Sequence, residues 1–181
     1  MRNDIERVLI DEAVIEKRLD AMAAAIERDF PEGTLVVMIL LKGALVFAAD
    51  LLRRVARPLE IECLNIASYH GGTASSGKVD FLDRHFPEVR GRHVLLLDDI
   101  LDTGRTLHAV TARLRDEGAA AVHTCVLLAK DKERAVAVEA DYVGFAIGDE
   151  FVVGYGLDYL GKYRSLPYIG VLKAAVVQEM S

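Results

Sequence analysis

The sequence predicts an α/β fold with a mainly parallel central sheet flanked by helices, and three observations carry that expectation. Continuous apolar, β-rich runs such as residues 35–40 suit strands buried on both faces of a sheet. Segments with apolar residues at helical spacing alternate with those runs. Turn residues fall at the junctions, so strands follow helices in the order that favours parallel pairing.

Taken in order, Ile15, Leu19, Met22 and Ile26 recur at steps of four, three and four, which makes residues 11–30 an amphipathic helix with Asp11 as its cap. Pro31 and Gly33 end it. Residues 35–40 form the first long strand, and a helix over about 44–55 follows. A second strand spans 59–68 and a third 93–97; a helix over 106–117, stopped by Gly118, leads to a strand over 122–128. Two stretches break this rhythm, and such departures are where function usually sits. Residues 69–78 gather Gly71, Gly72, Ser75, Ser76 and Gly77, a composition too polar for core. The tail from Gly148 carries Phe151, Asp158, Arg164, Pro167 and four further glycines.

At 181 residues, 52% apolar and 28% charged, the chain reads as a single domain, 1–181, of ordinary globular composition. No apolar run approaches the roughly 20 residues of a membrane span, and Asp4, Glu6, Asp11 and Glu12 do not suit a signal peptide. A cytoplasmic address with no membrane partner is the expectation. The net charge of −6, from 22 Lys plus Arg against 28 Asp plus Glu, disfavours nucleic acid, whose backbone is bound through cationic residues. Cys63 and Cys125 lie in apolar stretches without a paired spacing and are expected to be small buried hydrophobes.

Chemistry concentrates at residues 94–107. A fully apolar strand runs into the adjacent carboxylates Asp98 and Asp99, then Asp102, then the tight loop Thr103-Gly104-Arg105-Thr106, and then a helix. In a parallel sheet, ligands bind beyond the carboxyl ends of the strands, where the next helix offers free N–H groups and its positive dipole end. Thr103 and Thr106 add hydroxyl donors and Gly104 admits close backbone approach, so residues 102–106 suit a terminal phosphate. Asp98 and Asp99 suit the vicinal diol of a ribose, and equally Mg2+, which binds through a few carboxylates, waters and substrate phosphates together. The loop is neither the nucleoside-triphosphatase P-loop nor the dinucleotide glycine pattern.

Residues 95–107 resemble the phosphoribosyl-diphosphate motif of the type I phosphoribosyltransferases. In that family the acidic pair holds the ribose hydroxyls and the loop wraps the 5′-phosphate. Asp98 stands where many purine-salvage members carry Glu, so the carboxylate is retained. The likeness runs nearly the whole chain and points to the hypoxanthine–guanine branch. Lys42-Gly43 is similar to the family's diphosphate loop, and Ser68-Tyr69 to the Ser-Tyr pair of its lid. Lys130, then Phe151-Val152, then Asp158, then Arg164 match the base pocket and tail in order.

The resemblance implies that Lys130 donates to the six-oxo oxygen of a purine, Phe151 stacks on the ring and Val152 meets the base through its backbone. It implies further that Asp158 holds a second magnesium and that Arg164 contacts the diphosphate. Residues 69–78 would be a lid, and 148–173 part of a small base-binding hood formed by the termini. The implied activity is Mg2+-dependent transfer of the 5-phosphoribosyl group from phosphoribosyl diphosphate to hypoxanthine or guanine, giving IMP or GMP in purine salvage. Relatives of this kind are usually homodimers or homotetramers.

The implied reaction displaces diphosphate from the anomeric carbon through a transition state of oxocarbenium character, with Asp102 as the candidate acid/base on purine nitrogen seven. Two other readings stay open. One is a xanthine-preferring enzyme with the same sugar site; the other is a regulator that senses phosphoribosyl diphosphate and binds nucleic acid, which the charge balance disfavours. Residues 174–177 suit either a partner subunit or the core.

Overall fold

A computed structural model describes residues 1–30, 32–68, 79–83 and 85–179. The lid expected over 69–78, Tyr69 included, lies outside the described residues.

The chain enters through β1 (Ile5–Ile10) and turns into α1 (Glu12–Asp29). The helix starts as its sequence predicts: the Asp11 carboxylate accepts from the Val14 N–H at 3.0 Å, which satisfies one of the free donors of the first turn. Ile15, Leu19, Met22, Ala23 and Ile26 form its buried stripe. Then come β2 (Leu35–Leu41), α2 (Leu45–Leu52), β3 (Leu59–Ser68) and the short β4 (Val79–Phe81). The second half runs β5 (His93–Leu101), α3 (Arg105–Asp116), β6 (Ala121–Lys130) and β7 (Tyr142–Ile147), and ends in β8 (Val152–Val153), β9 (Ile169–Leu172) and α4 (Ala174–Glu179).

Six strands form the main sheet in the order β4-β3-β2-β5-β6-β7, parallel throughout except where β4 runs antiparallel on the β3 edge. Because successive side chains alternate between faces, each central strand feeds two cores. Val37, Ile39, Leu95 and Leu97 pack with α1 and α2, whereas Val36, Met38, Leu40, Val94 and Leu96 pack with Leu107, Val110 and Leu114 of α3. The fold expected from the sequence is therefore the fold found. A separate antiparallel sheet, β1-β9-β8, joins the two ends of the chain into the hood, around a third core of Val153, Tyr163, Leu166 and Leu172. Val176 and Val177 pack against this core, whereas Ala174 and Ala175 are exposed, so only the second half of residues 174–177 contributes to the hood.

Two expectations need correction. The third long strand does not stop at Leu97: Asp98, Ile100 and Leu101 remain paired with Val126, Leu128 and Ala129, so β5 carries the acid pair within the strand rather than in a loop after it. Cys63, expected in the core, is exposed, while Cys125 is buried. The register puts Cys63 beside Ile39 and Ile61 beside Val37, on the face that carries α1 and α2, but at β3 those helices no longer cover it and Ile61 is 54% exposed.

Candidate active site

Where β2 and β5 end, their carboxyl ends and the C-terminal tail enclose a cavity of about 220 Å3. Its walls bring together Lys42, Gly43, Asp98, Asp99, Asp102, Thr103, Gly104, Thr106, Asp158 and Arg164, ten positions that the sequence had singled out from three separate regions. A parallel sheet explains the convergence, since the carboxyl ends of its strands all lie on one side.

Asp98 and Asp99 form the floor, open to solvent through the cavity mouth and enclosed by protein elsewhere. The Asp99 N–H donates to Asp98 Oδ1 at 3.0 Å, and the Ile100 N–H donates to Asp99 Oδ1 at 3.0 Å. Burial, and next the negative charge of Asp99, push the Asp98 carboxyl well above its ordinary value. Burial raises the Asp99 carboxyl too, against the lowering effects of a hydrogen bond with Asp98, then of backbone N–H donors, and last of the Arg164 charge. The pair thus holds more negative charge than its surroundings neutralise, a condition that a bound cation or polyhydroxyl ligand relieves.

The phosphate loop is shaped by one glycine. Gly104 caps α3 in the left-handed region, φ 79°, with no side-chain cap bond, and the first helical bond runs from the His108 N–H to the Gly104 carbonyl at 3.0 Å. The N–H groups of the first turn are left facing the cavity without helix partners, next to the Thr103 and Thr106 hydroxyls. The connection after β6 braces this loop from behind, where the Val136 N–H donates to the Thr103 carbonyl at 3.1 Å. Arg105 opens α3 but does not line the cavity.

On the opposite wall the tail lies against the Lys42–Gly43 turn so closely that a side chain at Gly156 would collide with the Gly43 carbonyl, and one at Gly43 with the Asp99 carboxylate. This approach carries Asp158 and Arg164 to the cavity. Arg164 Nη1 donates to the Gly156 carbonyl at 2.7 Å, and Nη2 pairs with Asp158 Oδ1 at 2.7 Å, which fixes the guanidinium facing the acid pair.

The residues expected at the base lie beside this cavity rather than in its wall. Lys130, at the end of β6, is 11% exposed and stands 3.9 Å from Asp102 Oδ2. Phe151 is 44% exposed and meets Tyr159 in a T-shaped contact at 5.1 Å between centroids. Val152 is buried in β8. Ser68 ends β3, where its backbone pairs with Val79. Two residues at the site were missed from the sequence. Lys132 Nζ lies 2.6 Å from Asp102 Oδ1, and Asp149 pairs with both lysines, at 2.9 Å from Lys130 and 2.8 Å from Lys132. Lys132 lies past the end of β6, in an irregular connection, so no strand periodicity pointed to it.

Comparison with known proteins agrees with this geometry. The family model for the phosphoribosyl transferase domain matches residues 9–160. Hypoxanthine-guanine phosphoribosyltransferase of Streptococcus pneumoniae is 41% identical over 176 residues, covering 97% of this chain and 98% of that protein. The protein of the same name from Bacillus subtilis is 40% identical over 178 residues, covering 98% and 99%. A crystal structure of a hypoxanthine phosphoribosyltransferase from Staphylococcus aureus superposes with a TM-score of 0.91 at 40% identity, covering 97% of this chain and 96% of that one. With the fold, the order of the motif residues and near-complete coverage in agreement, the chain belongs to the phosphoribosyltransferase family, in its hypoxanthine-guanine branch.

Proposed function

We propose that this protein transfers the 5-phosphoribosyl group of phosphoribosyl diphosphate to hypoxanthine or guanine, releasing diphosphate. The observation that carries the reading is a single cavity with three chemically distinct walls: a helix start whose first-turn N–H groups lack helix partners, a crowded pair of carboxylates, and the Lys42 and Arg164 cations. These match a 5′-phosphate, a ribose and a diphosphate in the order those groups occur along the substrate.

Thr103, Gly104 and Thr106 then seat the 5′-phosphate, with Arg105 contributing its backbone to the helix start. Asp98 and Asp99 accept from the ribose hydroxyls and favour positive charge building on the sugar, while Lys42 and Arg164 offset charge gathering on the departing diphosphate. Asp102, between the acid pair and the phosphate loop, exchanges the proton on purine nitrogen seven. Lys130 donates to the six-oxo oxygen, a preference that rejects adenine, whose amino group would face the same ammonium. Phe151 stacks on the ring and the Val152 backbone edges the base. Ser68 and Tyr69 belong to the lid in this reading.

The donor set also fits magnesium. Asp98 and Asp99 are hard oxygen donors whose mutual repulsion a cation relieves, and Asp158 is a third carboxylate on the same cavity. Among the described residues no three side chains of His, Cys, Asp or Glu gather as a metal cluster, which suits an ion held partly by substrate oxygens and water. Mg2+ bound there supplies Lewis-acid stabilisation of the leaving diphosphate.

A cytoplasmic location and a homodimer or homotetramer complete the proposal. Leu45, 52% exposed, and Ile61, 54% exposed, leave apolar surface that a second copy would cover. The test is a spectrophotometric assay with phosphoribosyl diphosphate, Mg2+ and hypoxanthine, guanine, xanthine or adenine. Turnover is expected with hypoxanthine and guanine. Negligible turnover with all four would favour a sensing regulator, and a preference for xanthine would overturn the choice of base.

A further inference from the structure

We infer that Lys132 is a positioning residue for base recognition, holding Asp102 and Asp149 so that Lys130 can leave them for the purine. The inference rests on the role proposed for Lys130 above. Its ground is a square of alternating charges in which two lysines share the same two carboxylates. Lys130 reaches Asp149 at 2.9 Å and Asp102 at 3.9 Å, and Lys132 reaches them at 2.8 and 2.6 Å. Among the described residues these lysines are the only ion-pair partners of either carboxylate.

For Lys130 to read a carbonyl, its ammonium must exchange a full negative partner for a dipole. That exchange is costly chiefly at Asp102, whose side chain is 26% exposed, because an uncompensated charge in a partly desolvated site is destabilising; Asp149, 62% exposed, is also served by water. Lys132 removes the difficulty by touching both carboxylates already. It is also the dominant partner of the more exposed one: the Asp149 carboxyl is drawn down to about 2 first by its hydrogen bond to Lys132 and next by that to Lys130. At Asp102 the geometry differs in a useful way. Lys132 Nζ lies 2.6 Å from Oδ1, much nearer than Lys130 at 3.9 Å from Oδ2, so this carboxylate keeps its closer counter-ion when Lys130 leaves.

The test is steady-state kinetics on Lys132→Met, Lys132→Arg, Lys130→Met and the double variant Lys132→Met/Asp149→Asn. Removing Lys132 leaves Lys130 as the sole counter-ion of two carboxylates, so the KM for hypoxanthine should rise about three- to tenfold while that for phosphoribosyl diphosphate stays within about twofold. Lys132→Arg should stay near the parent. Adding Asp149→Asn should bring the hypoxanthine KM back down, because one of the carboxylates that recapture Lys130 is gone. An unchanged hypoxanthine KM in Lys132→Met, or a raised one that Asp149→Asn does not relieve, overturns the inference. Lys130→Met separates the two layers. If it raises the hypoxanthine KM while Lys132→Met does not, only the role of Lys132 falls; if it has no effect either, the base-pocket assignment falls and takes this inference with it.

Discussion

At the scale of single residues, the site is a place where local stability is spent on function. Asp98 and Asp99 share the floor of a cavity and are enclosed by protein except at its mouth, and the Asp98 carboxyl lies well above its ordinary value of 3.8 because of burial and then of Asp99. A carboxyl raised in the folded state stabilises the fold fully below that ordinary value, and the contribution is lost as pH rises past it. Asp98→Asn cannot ionise, so at pH 7 in metal-free buffer its Tm should exceed the parent's by about 2–4 °C, with the difference closing as pH falls toward 4. Thermal melts across that range check the sign, and an equal Tm at every pH would remove the strain assigned to this pair. Turnover should fall in the same variant. Asp102→Asn bears on chemistry more directly: it keeps the shape and removes the proton acceptor, so kcat should drop about 10²- to 10⁴-fold with substrate KM values little changed.

At the scale of elements, the phosphate loop depends on what stands behind it. A Cβ at Gly104 would come within 2.5 Å of the Val136 carbonyl and 2.7 Å of Val138 Cγ1, at a backbone φ of 79° that side chains disfavour. Gly104→Ala should therefore displace the loop, raise the KM for phosphoribosyl diphosphate at least about tenfold and lower the Tm by about 2–4 °C. Calorimetric titration with phosphoribosyl diphosphate and Mg2+ checks the first effect, and full affinity in the variant would mean that this loop does not hold the phosphate. The loop and its helix were legible in the sequence because their signals are local: an apolar run, carboxylates, Thr-Gly, then helical spacing. The end of β5 was not, since polar Asp98 and Asp99 stop the apolar pattern while Asp98 still pairs with Val126 across the ladder. The brace at Val136 and the counter-ion Lys132 were hidden for a related reason, as both follow from where an irregular connection folds back in space.

At the scale of the whole molecule, the doubly covered parallel sheet gathers residues 42–43, 98–104 and 106 onto one edge, and the stretch between β8 and β9 of the hood brings Asp158 and Arg164 to it. Alternation of strands and helices made the sheet readable. The hood was readable only through resemblance, because β8 and β9 are short and β1 finds its partner at the far end of the chain. Exposure likewise escaped the sequence at β3, where Cys63 and Ile61 look like core residues but lie past the cover of the helices. If a second copy covers that face, Ile61→Lys should lower the mass measured by sedimentation to that of a smaller assembly, and an unchanged mass would place the contact elsewhere. The central claim, that the acid-floored cavity binds a phosphorylated pentose, is tested most directly by crystals soaked with phosphoribosyl diphosphate and Mg2+. Density should show the 5′-phosphate on the Thr103–Thr106 backbone, the ribose hydroxyls on Asp98 and Asp99, and the diphosphate beside Lys42 and Arg164. The sugar phosphate bound at any other place, with this cavity empty, would contradict the account.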